Sequence, residues 1–161
     1  MKWESILTGR QLQDASNKLI QITEILCRRQ HNLDTGGLMY GNVGVLLFLF
    51  YFWKWRGDEA VYKRAADMLT SIIKRINSGL INCDYQLTGL SFDSGISGTE
   101  WCINHLHQNA IIEGRIENML GINDPVVYHQ MIEYVQEPNM PHLLQALQIS
   151  LYGVGRNSRL S

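Results

Sequence analysis

An all-α fold with its helices in two layers is what this sequence predicts, on three observations. Apolar residues recur at spacings of three and four through several long segments, the mark of a helix with one covered face. Segments of that kind alternate with segments that are apolar nearly all round, as an inner row screened by an outer row requires. No clear pair of strands appears, and no linker divides the chain.

The first helix is expected over about Gln11 to Gln30. Leu12, Ala15, Leu19, Ile22 and Leu26 form its stripe, with Ile20 and Ile25 beside it and Asn17, Lys18 and Gln21 opposite. The stretch Asn32 to Gly37 breaks the pattern. The second helix is expected over about Tyr40 to Trp55. Its length favours a buried helix, while its β-branched and aromatic content leaves a strand open. Arg56-Gly57-Asp58 closes it, and the Asp58 carboxylate can accept the free amides of the next first turn. That third helix carries Val61, Ala65, Met68, Leu69, Ile72, Ile73 and Ile76 on one face and ends near Gly79.

Leu80 to Asp93 reads as a loop with at most one extended stretch. Ile96 to Asn109 returns to helix, with Ile96, Trp101, Ile103 and Leu106 as its apolar members. A short helical turn is placed around Arg115 to Leu120. Asp124-Pro125 is a second strong start signal, an N-cap followed by proline at the first helical position. Val127, Met131, Ile132 and Val135 continue that helix as far as Pro138. A last, weaker helix is expected from Pro141 to Tyr152, and Gly153 to Ser161 reads as a frayed polar tail.

Composition bounds the function classes. A chain of 161 residues suits one compact domain over 1–161. Hydrophobic residues at 45% and charged residues at 18% exclude a disordered chain. The net charge of -1, from 14 basic and 15 acidic residues, gives no reason to expect nucleic acid or an anionic membrane as partner. Cys27, Cys83 and Cys102 are odd in number and far apart. They do not make a disulfide framework and fit the reduced thiols of a cytoplasmic protein. The start Met1-Lys2-Trp3-Glu4 lacks the apolar core of a secretory signal. The most apolar run, Val43 to Trp53, is about half the roughly 20 residues that span a bilayer.

An internal repeat carries more information. Gly37-Leu38-Met39-Tyr40-Gly41-Asn42-Val43-Gly44 runs into an apolar helix. Ser91-Phe92-Asp93-Ser94-Gly95-Ile96-Ser97-Gly98 does the same about fifty residues later. Aligning Gly41 with Gly95 and Gly44 with Gly98 superposes two G-x-x-G helix starts, where glycine permits a tight turn and a close backbone approach. Gly41 and Gly95 are the positions expected to be tightest. The full strings G-G-L-M-Y-G-N-V-G-V-L-L-F-L-F-Y-F and L-S-F-D-S-G-I-S-G-T-E-W resemble inner-helix starts of the lanthionine synthetase C-like family. The string H-L-H-Q-N-A-I-I-E-G-R-I-E-N-M-L that follows is also similar to that family. The resemblance covers roughly Leu33 to Glu137 and matches the first part of the family's domain.

The resemblance implies a closed double ring of inner and outer helices. This chain would be an arc of it: a partial (α/α) toroid, a single helical domain truncated relative to the family. It also implies an activity, the addition of a peptide cysteine to a dehydrated serine or threonine, as in lantibiotic biosynthesis. Zinc in the family lowers the thiol's pKa, because the thiolate is the nucleophile. The family's ligands are two cysteines and a histidine, one Cys being adjacent to the His, in a later half that this sequence does not reach.

No Cys-His pair is adjacent here. Cys102 with His105 has i, i+3 spacing and Cys27 with His31 has i, i+4 spacing, but neither pair brings the third ligand that catalytic zinc needs. The family's acid/base aspartate falls on Ser91, with Asp93 two residues later and expected to cap the helix. The family's His-Gly of the third start falls near Leu144-Gln145, with His142 two residues early, so that repeat reads as degenerate. Asp93 and Glu100 as paired carboxylates of a glycosidase are explained instead by capping and a solvated face. Ser94 and Ser97 form no nucleophile elbow, and Trp53, Lys54, Trp55 and Arg56 read as packing plus charge at a helix C-terminus.

The sequence therefore assigns no catalytic, cofactor-binding or metal residue, and no cofactor to this chain, zinc belonging to the family. It implies a cyclase-family protein inactive alone, or a non-catalytic module that holds a peptide or a partner protein. Self-association is a further expectation, since an arc leaves raw ends.

Overall fold

The computed structural model describes residues 6–28, 37–39, 41–77, 92–93, 95–114, 129, 132–133 and 135–136. The chain forms two compact units, Met1–His31 and Asn32–Ser161. Among the described residues there are four helices and no strand, so the all-α expectation holds.

In the first unit, α1 spans Gly9–Arg28. Its amphipathic pattern forms a helix, yet Leu12, Leu19 and Ile22 of the expected stripe remain exposed, and the buried residue is Thr23. Thr23 Oγ1 donates to the Leu19 carbonyl at 2.9 Å. The pairs Arg10–Asp14 and Glu24–Arg28 lie one turn apart on exposed faces, where such pairs add only a few tenths of a kcal/mol.

In the second unit, α2 spans Asn42–Arg56, α3 spans Glu59–Asn77 and α4 spans Ile96–Gln108. The apolar run of α2 is helical, which settles the strand alternative. Val43, Leu46, Leu49 and Phe50 are fully buried, and burying a Val, Leu or Phe side chain contributes roughly 1.5–3 kcal/mol. Coverage is not complete all round: Tyr51 and Trp55 stay exposed.

The link from α2 to α3 follows the sequence reading closely. Gly57 takes the left-handed conformation at φ 70° and its N–H bonds the Trp53 carbonyl at 2.7 Å, a common helix stop. Asp58 Oδ1 accepts the amides of Ala60 at 3.0 Å and Val61 at 3.3 Å. The chain reverses across these two residues, and Tyr62 at the start of α3 packs on Trp53 and Phe50. α3 is amphipathic as expected, burying Val61, Ala65, Met68 and Ile72 and leaving Lys63, Asp67 and Lys74 exposed. Leu69 and Ile73 pack on Ile103 of α4.

α2 and α4 run parallel. Met39 N–H, just before α2, bonds the Asp93 carbonyl, just before α4, at 2.7 Å. At the other end Lys54 of α2 reaches the Asn109 carbonyl beyond α4 at 3.3 Å. Two parallel helices with an antiparallel amphipathic helix packed on them are the inner and outer layers expected of an (α/α) arc.

The repeat is visible in the backbone. Both helices start at a glycine in extended conformation, Gly41 at φ −141° and Gly95 at φ −109°, angles open to other residues. The close approach falls on the second glycine of each pair, not on the first. A Cβ on Gly44 would run into the Leu38 carbonyl oxygen, and one on Gly98 into the Phe92 carbonyl oxygen. A Gly98 Cβ would also stand 3.1 Å from Leu38 Cβ.

Of the fifth expected helix, His129, Ile132, Glu133, Val135 and Gln136 are helical, and His129 Nε2 lies 3.3 Å from Glu133 Oε1. The expected turn at Arg115 to Leu120, the helix from Pro141 and the tail from Gly153 lie outside the described residues.

Gly98→Ala is expected to destabilise by about 3 kcal/mol, because backbone rather than a pliable side chain blocks the new methyl. Gly57→Ala meets nothing within 4 Å and is expected to cost about 1 kcal/mol for its left-handed backbone alone. Denaturant unfolding of both variants checks the order; equal losses would show that the glycine–carbonyl contact is not a constraint.

Candidate functional site

The described polar side chains that the interior of the second unit buries lie mostly on α4. On α4, Ser97, Glu100 and Asn104 stand at i, i+3 and i+7, one stripe of the helix. Ser97 and Glu100 are fully buried and Asn104 is 5% exposed. Thr99 is buried as well, its hydroxyl donating to the Gly95 carbonyl at 3.3 Å. Glu100 thus corrects the expectation of a solvated face: its carboxylate is in the interior, where an ionisable group is costly without polar contacts. It has such contacts, as do Ser97, Thr99 and Asn104. Asp93 is also corrected. The N-cap of α4 is Gly95, with no side-chain cap bond. Asp93 contributes its main-chain carbonyl to the bond from Met39.

At the C-terminal end of the α2–α4 seam His105 joins the two helices. Its Nε2 lies 2.7 Å from Tyr51 Oη of α2. Its ring stacks on Trp101 at 4.9 Å and 13°, and Trp101 meets Phe92 edge-on at 5.5 Å. Asn109 Nδ2 donates to the His105 carbonyl at 2.8 Å and stands 3.5 Å from His105 Nδ1. Burial lowers the His105 pKa from the usual histidine value. Tyr51 and His105 are 54 residues apart, the same offset as Gly44 and Gly98. The two repeats therefore present equivalent positions to each other. Sequence reading missed this pair; the repeat offset, carried on from the glycines, would have found it.

The tryptophan and basic cluster ends α2 as packing and charge. Trp53 Nε1 donates to Glu59 Oε1 at 3.2 Å, and the Arg56 guanidinium lies 5.4 Å over the Trp55 ring.

Zinc needs thiolate and imidazole donors that are open to ligation. Cys102 is fully buried and its Sγ points at the Val43 carbonyl at 4.0 Å. Burial pushes its thiol up to about 12, the opposite of what a metal-ligating thiolate needs. His105 has Nε2 on Tyr51 and Nδ1 toward Asn109. Among the described residues no three of His, Cys, Asp and Glu are grouped to hold a metal ion. This donor set does not fit zinc. Cys83, Ser91, Ser94, His31 and His142 lie outside the described residues. No helix among the described residues is long and apolar enough to cross a membrane.

Parallel inner helices with glycine starts, screened by an amphipathic outer helix, define an (α/α) helical arc. A family model, lanthionine synthetase C-like protein, matches residues 33–135. The chain belongs to the lanthionine synthetase C-like family. No curated protein and no solved structure matches it.

Cys102 is expected to resist alkylation in the folded protein at pH 8 and to react only on unfolding. Cys27 is in no disulfide and half-buried, and is expected to react ahead of it. Peptide mapping after timed labelling checks this; native labelling of Cys102 at the Cys27 rate would show that the seam opens. Burial disfavours the Cys102 thiolate, so stability is full below the thiol's ordinary value of 9.0 and is expected to be lost as pH rises toward 12, as urea unfolding across that range would read.

Proposed function

We propose that this chain supplies part of the inner wall of a lanthionine synthetase C-like ring, and there holds a cysteine-bearing dehydrated peptide without activating its thiol. The observation that carries the reading is the in-register pairing of two glycine-started parallel helices within a stretch matched to the family. The family activity, thioether cyclisation, sets the substrate class. Zinc would supply a thiolate to that chemistry, and the described donors of this chain give it no seat. The chain works in the cytoplasm, where Cys27 and Cys102, in no disulfide, stay reduced. A second copy, or a protein that continues the ring, covers the flank of the arc.

A second reading, a non-catalytic module for a peptide or a partner protein outside any cyclisation, is favoured by one observation. Tyr51 and Trp55 of α2 are 40% and 49% exposed, and exposed aromatic side chains are favoured anchors for partners.

The test uses the full chain with a synthetic peptide bearing dehydroalanine and cysteine, with and without added zinc. Fluorescence anisotropy reads binding; mass spectrometry after alkylation reads free thiol consumed by ring closure. Binding without ring closure is expected, together with no stoichiometric zinc by elemental analysis. Ring closure above the peptide's own rate would overturn the non-catalytic part. Equal binding of the saturated alanine peptide would favour the second reading, and no binding of either peptide would sink the peptide-holding role.

A further inference from the structure

The first unit carries an apolar stripe of its own. Along α1, Leu12, Ala15, Leu19, Ile22 and Leu26 follow one another at steps of three, four, three and four, the a and d pattern of a coiled coil. Leu12, Leu19 and Ile22 are 45%, 36% and 38% exposed, and Ala15 and Leu26 are half-buried. Ile25, on the border of the stripe, is 53% exposed. The borders are suited to being covered. Ser16 and Thr23 turn their hydroxyls onto the carbonyls of Leu12 at 2.7 Å and Leu19 at 2.9 Å, so covering them leaves neither donor unmet. Arg10, Asp14, Glu24 and Arg28 stand away from the stripe and pair along the helix. Of the charges of α1, Lys18 alone borders the stripe.

We propose that α1 pairs antiparallel with α1 of a second copy of this chain. The stripe is complementary to itself in that direction. In a parallel pair equal positions face each other, and Ala15 would meet its own copy across a void. In an antiparallel pair an a residue faces a d residue. Leu19 then meets the partner's Ile22, and Ala15 meets the partner's Leu26, small against large at both ends of the contact. The same register sets Lys18 beside the partner's Ile25. There the lysine stem covers the apolar side chain while its ammonium reaches water. The two helix dipoles run opposed, so each C-terminal half lies by a positive end. A lipid surface is the poorer occupant, because α1 carries three basic and two acidic residues and offers anionic headgroups little attraction. This pairing uses the first unit alone and is separate from any cover on the flank of the arc. Four layers make a small interface, so the dimer exchanges with monomer and depends on concentration.

Sedimentation velocity of the full chain over a dilution series tests the pairing. A monomer–dimer equilibrium is expected, weakened more than about tenfold by Leu19→Glu or Ile22→Glu, since each would bury a carboxylate in the seam. Asn17→Glu, on the opposite face, is expected to change nothing. Circular dichroism is expected to show the same helix content in all three, because the three sites are exposed. Direction is read by oxidative cross-linking in a Cys27→Ser, Cys83→Ser background. Ala15→Cys mixed with Leu26→Cys is expected to give a disulfide-linked dimer, and neither alone is expected to. Cross-linking of Ala15→Cys with itself at the rate of the mixture would show a parallel pair and overturn the proposal. So would a dimer indifferent to Leu19→Glu and Ile22→Glu, which would place the contact elsewhere on the chain. A chain that stays monomeric, or that instead pellets with phosphatidylglycerol vesicles through Leu19 and Ile22, also overturns it.

Discussion

The contact between a helical glycine and the carbonyl of the loop before it, Leu38 over Gly44 and Phe92 over Gly98, is the constraint on which the second unit is built. A side chain at either glycine would hold the loop off its helix. With hydrogen there instead, each loop folds flat over the first turn and its residues reach the neighbouring repeat. That reach produces the main-chain bond from Met39 to Asp93, which ties the two helix starts at equivalent positions. Once the starts are tied, the helices run side by side in the same direction. Equivalent residues one helix length further on, Tyr51 and His105, then meet as well. One small steric allowance thus sets direction, register and the composition of both ends of the seam.

Much of this was legible in the residues. The 3.6-residue period located α1 and α3, the apolar run located α2, and Gly57-Asp58 marked a stop and a start that the main chain realises through the predicted atoms. The repeat pointed to two equivalent helices. The tight glycine of each pair was not legible, since G-x-x-G looks the same from either end and only the path of the preceding loop decides. The expectation for Glu100 failed for a related reason. A carboxylate near a helix start reads as solvated unless the neighbours that cover it are known, and the flanking Ser97, Gly98 and Thr99 carry no strong apolar signal. The Tyr51–His105 pair is invisible to local periodicity because it depends on the register of two distant helices.

The repeat offset also compares the two inner helices position by position. Ser97, Glu100 and Asn104 of α4 correspond to Val43, Leu46 and Phe50 of α2. All six are buried: five fully and Asn104 at 5% exposure. A helix with the same G-x-x-G start therefore accepts apolar residues at these three positions. Polar residues there give up hydration and must recover it through specific contacts. Their presence in α4 is not something the packing of an inner helix demands.

This asymmetry separates two roles that composition alone would merge. α2 contributes a wholly apolar set to the interior, Val43, Leu46, Leu49 and Phe50, with Tyr62 of α3 against its end. α4 spends part of the same buried volume on directional groups, which accept few geometries and so favour one arrangement of neighbours over many. Apolar surface is indifferent to a small slip of one helix along another, whereas a buried carboxylate and amide are not. The Met39–Asp93 bond at one end and the Tyr51–His105 pair at the other hold the α2–α4 seam in one register. A wall of the proposed kind, presenting a peptide in one register, would need that property.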